Sequence, residues 1–352
     1  MQLKELAKSF YRFFREKKNV FLNLRKVKSI ADAPSCFPEK KLKSRDVILK
    51  ENRAWVRKYR ELNSFYRLYG LDVEGSSEQD FIDYRSFMES RNVVNRIGQL
   101  DSQVVLLRDK FLFYKYMSSF NMPVPEVFAV FFDGKLYDTS MNLKDLSSLE
   151  NETDYFVKEV DGECASFVKR VPDFQSFNKM LPQIQKGKFI LQRKMVQCAK
   201  MAQINPNAIN TLRIVTINKN GNVSVLTSLL RIGTSQTGHV DNWAAGGIAI
   251  GIDDDAHLKE FGFYKPKYGT KTDIHPDTKI VFKEFEVPMY ADALNLVCSA
   301  HKFFYNVRAI GWDVAISENG PVIIEGNDNW EISLQQACDK PLKKLWLQSV
   351  AD

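Results

Sequence analysis

Apolar residues near the start of the chain fall at Leu3, Leu6, Ala7, Phe10, Phe13 and Phe14, with Lys4, Lys8, Arg12, Arg15, Lys17 and Lys18 between them. That spacing predicts a basic amphipathic helix. Its apolar face either packs on the rest of the fold or docks on an anionic membrane surface or a partner, and the pattern alone allows both. Ala31 to Pro38, with two prolines, reads as a linker. Lys43 to Tyr69 and Gln79 to Arg96 carry a polar-rich helical pattern, broken at Gly70 and at Glu74 to Ser77. The first hundred residues are therefore expected to be mostly helical.

After Leu107 the period shortens. Phe128 to Phe132 and Leu136 to Tyr137 flank Asp133-Gly134, a hairpin signal. Tyr155 to Val160 and Ala165 to Arg170 flank a second turn, Asp161 to Cys164, and Pro172 to Lys186 reads as a helix before a short strand at Phe189 to Gln192. Thr211 to Asn218 and Val223 to Arg231 form a third pair, and Gly246 to Ile252 begins another apolar run. Pro288 to Val307 is a long amphipathic helix, with Ala293, Leu294, Val297, Ala300 and Phe304 on one side. Ile310 to Ile316, a Ser317-Glu318-Asn319-Gly320 turn and Val322 to Glu325 close the series. Hairpins interleaved with helices predict an α+β fold with mostly antiparallel sheets.

Composition adds bounds. With 352 residues, 44% hydrophobic and 26% charged, the chain has the make-up of an ordinary globular protein with more than one subdomain. Five cysteines, Cys36, Cys164, Cys198, Cys298 and Cys338, show no C-x-x-C pair, so reduced thiols and a cytoplasmic location are expected, without a disulfide framework or a zinc site. Neither a signal-peptide stretch nor a spanning apolar segment is expected. The net charge of +7 is uneven: residues 1–70 hold 19 Lys and Arg against 7 Asp and Glu, and the remaining 282 hold 31 against 36. The basic character belongs to the N-terminal segment, and the aromatics of residues 9–21 are accounted for by the amphipathic helix, so no nucleic-acid partner is expected.

The chemistry concentrates in the last hairpin. Asp313 on one strand and Glu325 on the next can stand side by side on one face, and two adjacent carboxylates repel unless a cation sits between them. Mg²⁺ is the expected cation, since it takes hard oxygen ligands and completes its shell with water and phosphate. Asn327, two residues beyond Glu325, adds an amide oxygen on the same face. Taken alone, these are equally two solvated hairpin charges with a capping Asn.

An Asp strand, a turn and a strand ending Glu-x-Asn resembles the closing segment of the ATP-grasp superfamily, and most of all its sugar-transfer-associated branch. The resemblance runs from about Leu107 to Asn327. It implies two α+β subdomains with mostly antiparallel sheets clasping ATP, with boundaries here at residues 1–100 for a basic helical N-terminal region, 101–190 for the N-terminal and lid subdomain, and 191–352 for the catalytic subdomain. It implies Asp313, Glu325 and Asn327 as ligands of one or two Mg²⁺ ions. Asp109-Lys110 with Pro123-Val124-Pro125 resembles the family's entry segment, which gives Lys110 to the nucleotide phosphates. Lys158, ahead of Asp161-Gly162-Glu163-Cys164-Ala165-Ser166, resembles the second nucleotide lysine and its phosphate-covering loop, although Gly162 is that loop's one glycine. Gln192, Arg193 and Met195 occupy the hinge where the family holds adenine, with Arg193 and Met195 as backbone contacts; many relatives have Glu in place of Gln192.

Asn210 to Thr216 sets Arg213 inside an apolar strand, where a lone arginine needs an anionic partner. By resemblance Arg213 and Arg231 reach the triphosphate or an acyl phosphate. Asn242 and Gly246-Gly247 resemble an Asn-x-x-x-Gly-Gly stretch that offers donors to an oxyanion, while the glycine pair on its own is also a strand-entry bend. Asp241 stands where some relatives have Arg. His239, His257, His275 and His301 show neither metal spacing nor a nucleophile partner, and no P-loop or dinucleotide fingerprint occurs.

These motifs imply a ligase that spends ATP to activate a carboxylate as an acyl phosphate and passes it to an amine or sugar-linked acceptor, in cell-surface polysaccharide or envelope glycan synthesis. Two alternatives stay open: a phosphotransferase acting on a sugar or polyol, and a non-catalytic ATP-binding scaffold. The basic helix would seat either on the inner face of the membrane or on a glycan-assembly partner.

Overall fold

The computed structural model describes the backbone of residues 2–162, 167–238 and 241–351, and their side chains from residue 17 onward. Helix α1 (Gln2–Asp32) packs through Val20, Leu24, Val27 and Ala31 on α2 (Arg45–Tyr59). The apolar stripe from Leu3 to Phe14 lies outside the described side chains. The expected linker is not one: the helix runs on to Asp32, Ala31 and Cys36 are buried, and the Arg67 guanidinium donates to the carbonyls of Ile30 (3.1 Å) and Ala31 (2.6 Å) at the helix end. Cations at a helix C-terminus satisfy its orphan carbonyls and dipole. The helix expected through Tyr69 ends at Tyr59, where Arg60 turns left-handed at φ 61°. The chain then winds through turns that seat Tyr66 and Leu71 under α2. Helices α3 (Tyr84–Val94), α4 (Val104–Arg108) and α5 (Lys110–Ser119) follow.

Strands β1 (Val127–Phe132), β2 (Lys135–Tyr137), β3 (Leu143–Lys144), β4 (Tyr155–Glu159), β5 (Val168–Val171) and β6 (Lys188–Arg193) make one sheet in the order β3-β2-β1-β6-β4-β5, all neighbours antiparallel. Asp133 and Gly134 both take positive φ, 45° and 79°, as a two-residue hairpin loop requires. Helix α6 (Phe174–Ile184) covers one face through Phe177 and Ile184, against Tyr155, Val157, Phe189 and Leu191.

After α7 (Ala199–Ile204), a seven-stranded antiparallel sheet runs β11-β10-β9-β8-β7-β12-β13. Its strands are β7 (Thr211–Lys219), β8 (Asn222–Ile232), β9 (Ile248–Ile252), β10 (Leu258–Tyr264), β11 (Lys271–Thr272), β12 (Ala309–Ser317) and β13 (Gly320–Asn327). Helix α8 (Tyr290–His301) buries Ala293, Val297 and Ala300 on Leu212, Ile214, Leu230, Trp312 and Val314, the largest core of the molecule. The opposite face is closed at one end by Trp330, α9 (Ile332–Cys338), α10 (Lys343–Val350) and Phe87 of α3, where Phe87, Trp330 and Trp346 meet edge to face. No helix among the described residues is long and apolar enough to cross a membrane.

One buried chain of hydrogen bonds has a fixed polarity. Trp312 Nε1 donates to Thr216 Oγ1 (2.7 Å), Thr216 Oγ1 lies 2.6 Å from His301 Nδ1, and His301 Nε2 lies 2.8 Å from the Val307 carbonyl. A carbonyl can only accept, so His301 carries its proton on Nε2 and accepts from Thr216 at Nδ1. Burial pushes this imidazole down to about 4, against a weaker upward pull from the Val307 carbonyl. The unfolded chain, with His near its ordinary value, therefore binds a proton that the native state refuses. The stability is whole above pH ~6.5 and is lost as pH falls toward 4, by about 2 kcal/mol between pH 7.5 and 5 for this one group. Urea denaturation at the two pH values is expected to show that slope, and His301→Gln is expected to flatten it; an unchanged slope in the variant would remove His301 as its source.

Candidate functional site

Strand alternation sends Leu212, Ile214, Trp312, Val314 and Leu230 into the α8 core, so Thr211, Arg213, Arg231 and Asp313 face the other way. In register, Arg213 lies opposite Asp313 across β7–β12, and Asp313 opposite Glu325 across β12–β13. The second pairing depends on an irregularity. From the turn upward Ser317 pairs with Gly320, Ile316 with Pro321, Ala315 with Val322 and Val314 with Ile323, and the next step skips Ile324 to join Asp313 to Glu325. A uniform ladder would set Glu325 on the far face; the bulge at Ile324 returns it to the side of Asp313.

The Asp313 carboxylate is gripped by two arginines. Arg213 donates Nε to Oδ1 (2.5 Å) and Nη2 to Oδ2 (3.0 Å), and Arg231 Nη2 reaches Oδ2 at 3.1 Å. Arg231 also bonds Thr211 Oγ1 (2.9 Å) and Asp241 Oδ1 (3.2 Å), and Asp241 in turn accepts from the Thr211 hydroxyl and backbone N–H. Burial opposes the charge on Asp313, but Arg213 and Arg231 outweigh it and hold the carboxyl below its ordinary range. Glu325 goes the other way: burial and then the Asp313 charge push it up. Asn327 Nδ2 donates to Glu325 Oε1 at 3.2 Å.

On the smaller sheet, Tyr155, Val157, Phe189 and Leu191 point into the α6 core, which leaves Phe156, Lys158, Ile190 and Gln192 on the opposite face. Lys158 Nζ donates to Gln192 Oε1 at 2.6 Å. Burial pushes this ammonium down to about 8, Glu325 draws it back up and Lys110 adds to the fall. Asp109 caps α5 by accepting from Phe111 and Leu112 N–H, which sets Lys110 at the helix start with its Nζ on the Gly162 carbonyl at 2.6 Å.

The two faces enclose one cavity of about 580 Å³, lined by all twelve residues singled out in the sequence: Lys110, Lys158, Gly162, Gln192, Arg193, Met195, Arg213, Arg231, Asn242, Asp313, Glu325 and Asn327. A volume of that size suits a small-molecule or nucleotide ligand. Some expected roles change. The Arg193 N–H already donates to the Glu126 carbonyl (2.8 Å) and its side chain pairs with Glu152, so its backbone donor is not available to a base. Met195 follows β6 and keeps its place in the lining. Arg213 and Arg231 are not free cations but partners of Asp313. Asn242 uses its side-chain oxygen to cap the 243–245 turn through Ala244 N–H (2.9 Å), and Gly246 takes φ 107° there, so this stretch carries the bend. The covering loop is described only as far as Gly162; residues 163–166 lie outside the described residues.

Among the described residues no three His, Cys, Asp or Glu side chains form a metal-ligand group. The donor set nevertheless fits a hard divalent cation. Two buried carboxylates and an amide share one face of the hairpin. Asp313 holds its charge through three arginine N–H groups, and Glu325 is pushed up by burial and by the Asp313 carboxylate beside it, with Lys110 and Arg213 drawing it back.

Sequence reasoning missed the supports. Arg108 forks onto Asp328 (3.0 and 2.7 Å) at the cavity edge, and both sit next to residues that were chosen. Arg91, buried in α3, donates to the Trp330 carbonyl (2.5 Å) and Asn329 Oδ1 (2.7 Å). Asn95 joins Ala309 and the Asp328 carbonyl through 2.8 and 3.3 Å bonds. These brace both strands that carry Asp313 and Glu325, and a polar-rich helix pattern gave no sign of them.

Residues 181–352 match the model of the family described as sugar-transfer associated ATP-grasp. No curated protein matches the chain. Among solved structures it is similar to an L-amino acid ligase from Bacillus licheniformis (16% identity, TM-score 0.38, 63% of this chain and 40% of that one). It is also similar to D-alanine–D-alanine ligases from Bacillus anthracis (13%, 0.37, 66% and 59%) and Coxiella burnetii (10%, 0.40, 70% and 56%). The chain thus spans between two fifths and three fifths of the length of these proteins. Likenesses this distant leave the chemistry to the residues.

Proposed function

We propose that this chain, whose C-terminal half carries the sugar-transfer associated ATP-grasp match, is an ATP-using ligase that binds a magnesium nucleotide between its two sheets. It activates a carboxylate for transfer to an amine or a sugar-linked acceptor in glycan assembly. One observation carries the reading: Lys110 and Lys158 from one side and Asp313, Glu325 and Asn327 from the other line a single cavity, close enough for Glu325 to act on the charge of Lys158.

Lys110 and Lys158 supply point charges to phosphate oxygens. Phe156, Ile190, Gln192 and Met195 form the less polar end, suited to a base. Glu325, Asn327 and Asp313 would hold Mg²⁺, which when bound neutralises phosphate charge and orients it for in-line attack. Arg213 and Arg231, fixed by Asp313 and Asp241, offer stabilisation to the charge that develops on the activated carboxylate. With these groups pre-positioned, no covalent nucleophile from the protein is needed.

Two measurements test the reading. MgATP is expected to raise the melting temperature where Mg²⁺ or ATP alone does not, since a ligand of the native state stabilises by mass action. A screen of amino acids, sugar acids and amino sugars is expected to find acceptor-dependent ADP release with an amide or ester product. A stable phosphorylated sugar in its place would assign phosphotransfer, and no melting shift with any nucleotide would end the proposal.

A further inference from the structure

Helix α1 meets α2 through Val20, Leu24, Val27 and Ala31, spaced as one face of a helix. The two run antiparallel: Arg45 pairs with Asp32 (2.8 Å) at one end, and Asn23 Nδ2 donates to the Arg60 carbonyl (3.3 Å) at the other. The outward side of α1 is of a different kind. Phe21 is 57% exposed and Leu22 41%. Lys17, Lys18, Arg25, Lys26 and Lys28 stand exposed around them, and the Arg25 guanidinium lies 4.8 Å from the centre of the Phe21 ring. Among the described side chains of α1 the one carboxylate is Asp32, which Arg45 holds.

The same pattern extends along the element. Helix α1 is continuous from Gln2 to Asp32, and eighteen residues make five turns at 3.6 residues each, so Leu3 shares the helical line of Phe21. Phe10 and Phe14 fall close to that line. Charge gathers here too. Helices α1 and α2 hold 14 Lys and Arg against 5 Asp and Glu, a balance of +9 in a chain whose net charge is +7. All of the excess positive charge therefore sits on one helix pair that also shows apolar side chains to solvent.

Three kinds of occupant differ in how they treat that combination. A second copy would set like charge against like. A nucleic acid would neutralise the cations and leave Phe21 and Leu22 in water. The surface of an anionic bilayer takes both, because apolar side chains enter the boundary between headgroups and acyl chains while lysines and arginines reach the lipid phosphates over their own apolar stems.

We propose that α1 docks this chain on an anionic phospholipid surface, with Phe21 and Leu22 at the acyl boundary and Lys18, Arg25 and Lys26 at the headgroups. The helix lies on the membrane and does not span it, since no helix among the described residues is long and apolar enough to cross. The attachment is reversible and weakens as salt rises. It stands apart from the nucleotide reading, because none of these side chains lines the cavity.

Co-sedimentation of the full chain with vesicles tests this, using phosphatidylcholine alone and phosphatidylcholine mixed with phosphatidylglycerol in equal parts. The native chain is expected to sediment with the mixed vesicles and to stay in solution with the neutral ones. Phe21→Ser combined with Leu22→Ser is expected to weaken the binding by about tenfold. Lys18→Gln combined with Lys26→Gln is expected to weaken it by about tenfold or more. All four side chains are exposed, so both variants are expected to melt with the native chain, and the charge variant serves if the apolar one melts early. Equal sedimentation with both kinds of vesicle, or with neither, overturns the proposal. So does native binding by the Phe21 and Leu22 variant, which would reduce the attraction to charge alone. Retention on heparin or duplex DNA while the mixed vesicles are left unbound would assign the face to a soluble polyanion and overturn the lipid.

Discussion

Glu325→Gln is expected to lower nucleotide turnover by at least about a hundredfold, since even outer-shell partners of a metal cost 10- to 100-fold, and to leave the unliganded protein as stable as before or more so. The second half of that statement follows from the site. Glu325 is buried, raised above its ordinary range by burial and by Asp313, and is not among the carboxylates that an arginine fork neutralises. Glutamine keeps its volume and its contact with Asn327 while removing the repulsion, as happens where a site trades stability for function. Turnover by ADP release and unfolding by urea, measured on the same preparation, check both halves. Native turnover in the variant, or a loss of several kcal/mol without ligand, would remove Glu325 from the role given to it.

Arg213→Met is expected to do the reverse and strike the fold. Asp313 is almost fully buried, and Arg213 supplies two of its three guanidinium bonds. Removing one partner of a buried ion pair costs about 3–5 kcal/mol because the other charge is left behind. The melting temperature should fall by on the order of 10 °C. Adding Asp313→Asn to Arg213→Met should recover part of the loss, and that double-mutant cycle reads the pair directly. A single variant that melts within a degree or two of the native chain would show that Arg231 suffices.

The parts of the fold that were legible from sequence are those fixed locally. Asp133-Gly134 and Ser317 to Gly320 gave their hairpins, because the turn residues dictate the connection. The strand pattern around Arg213 gave β7, and its lone charge pointed to an anionic partner, which the fold supplies from within as Asp313. Arg193 went wrong for a comparable reason: sequence cannot say that its N–H is spent on Glu126. Strands β10 and β11 passed unseen, since their partners come from β9 and from each other across turns without a strong hairpin signature. The carboxylate pair was expected side by side, yet simple alternation from the turn sets Asp313 opposite Ile324. The bulge that restores it had one local sign, Gly326 within a strand.

The bracing by α3 changes what counts as a portable piece of this protein. The segment that matches the family begins at residue 181, but Arg91 and Asn95 hold the backbone at Ala309 and Asp328 to Trp330, and Phe87 fills the space between Trp330 and Trp346. Transplanted alone, that half would present two indoles to water and lose the clamp behind its acidic hairpin. A graft of residues 181–352 into another protein must carry residues 81–95 along with it.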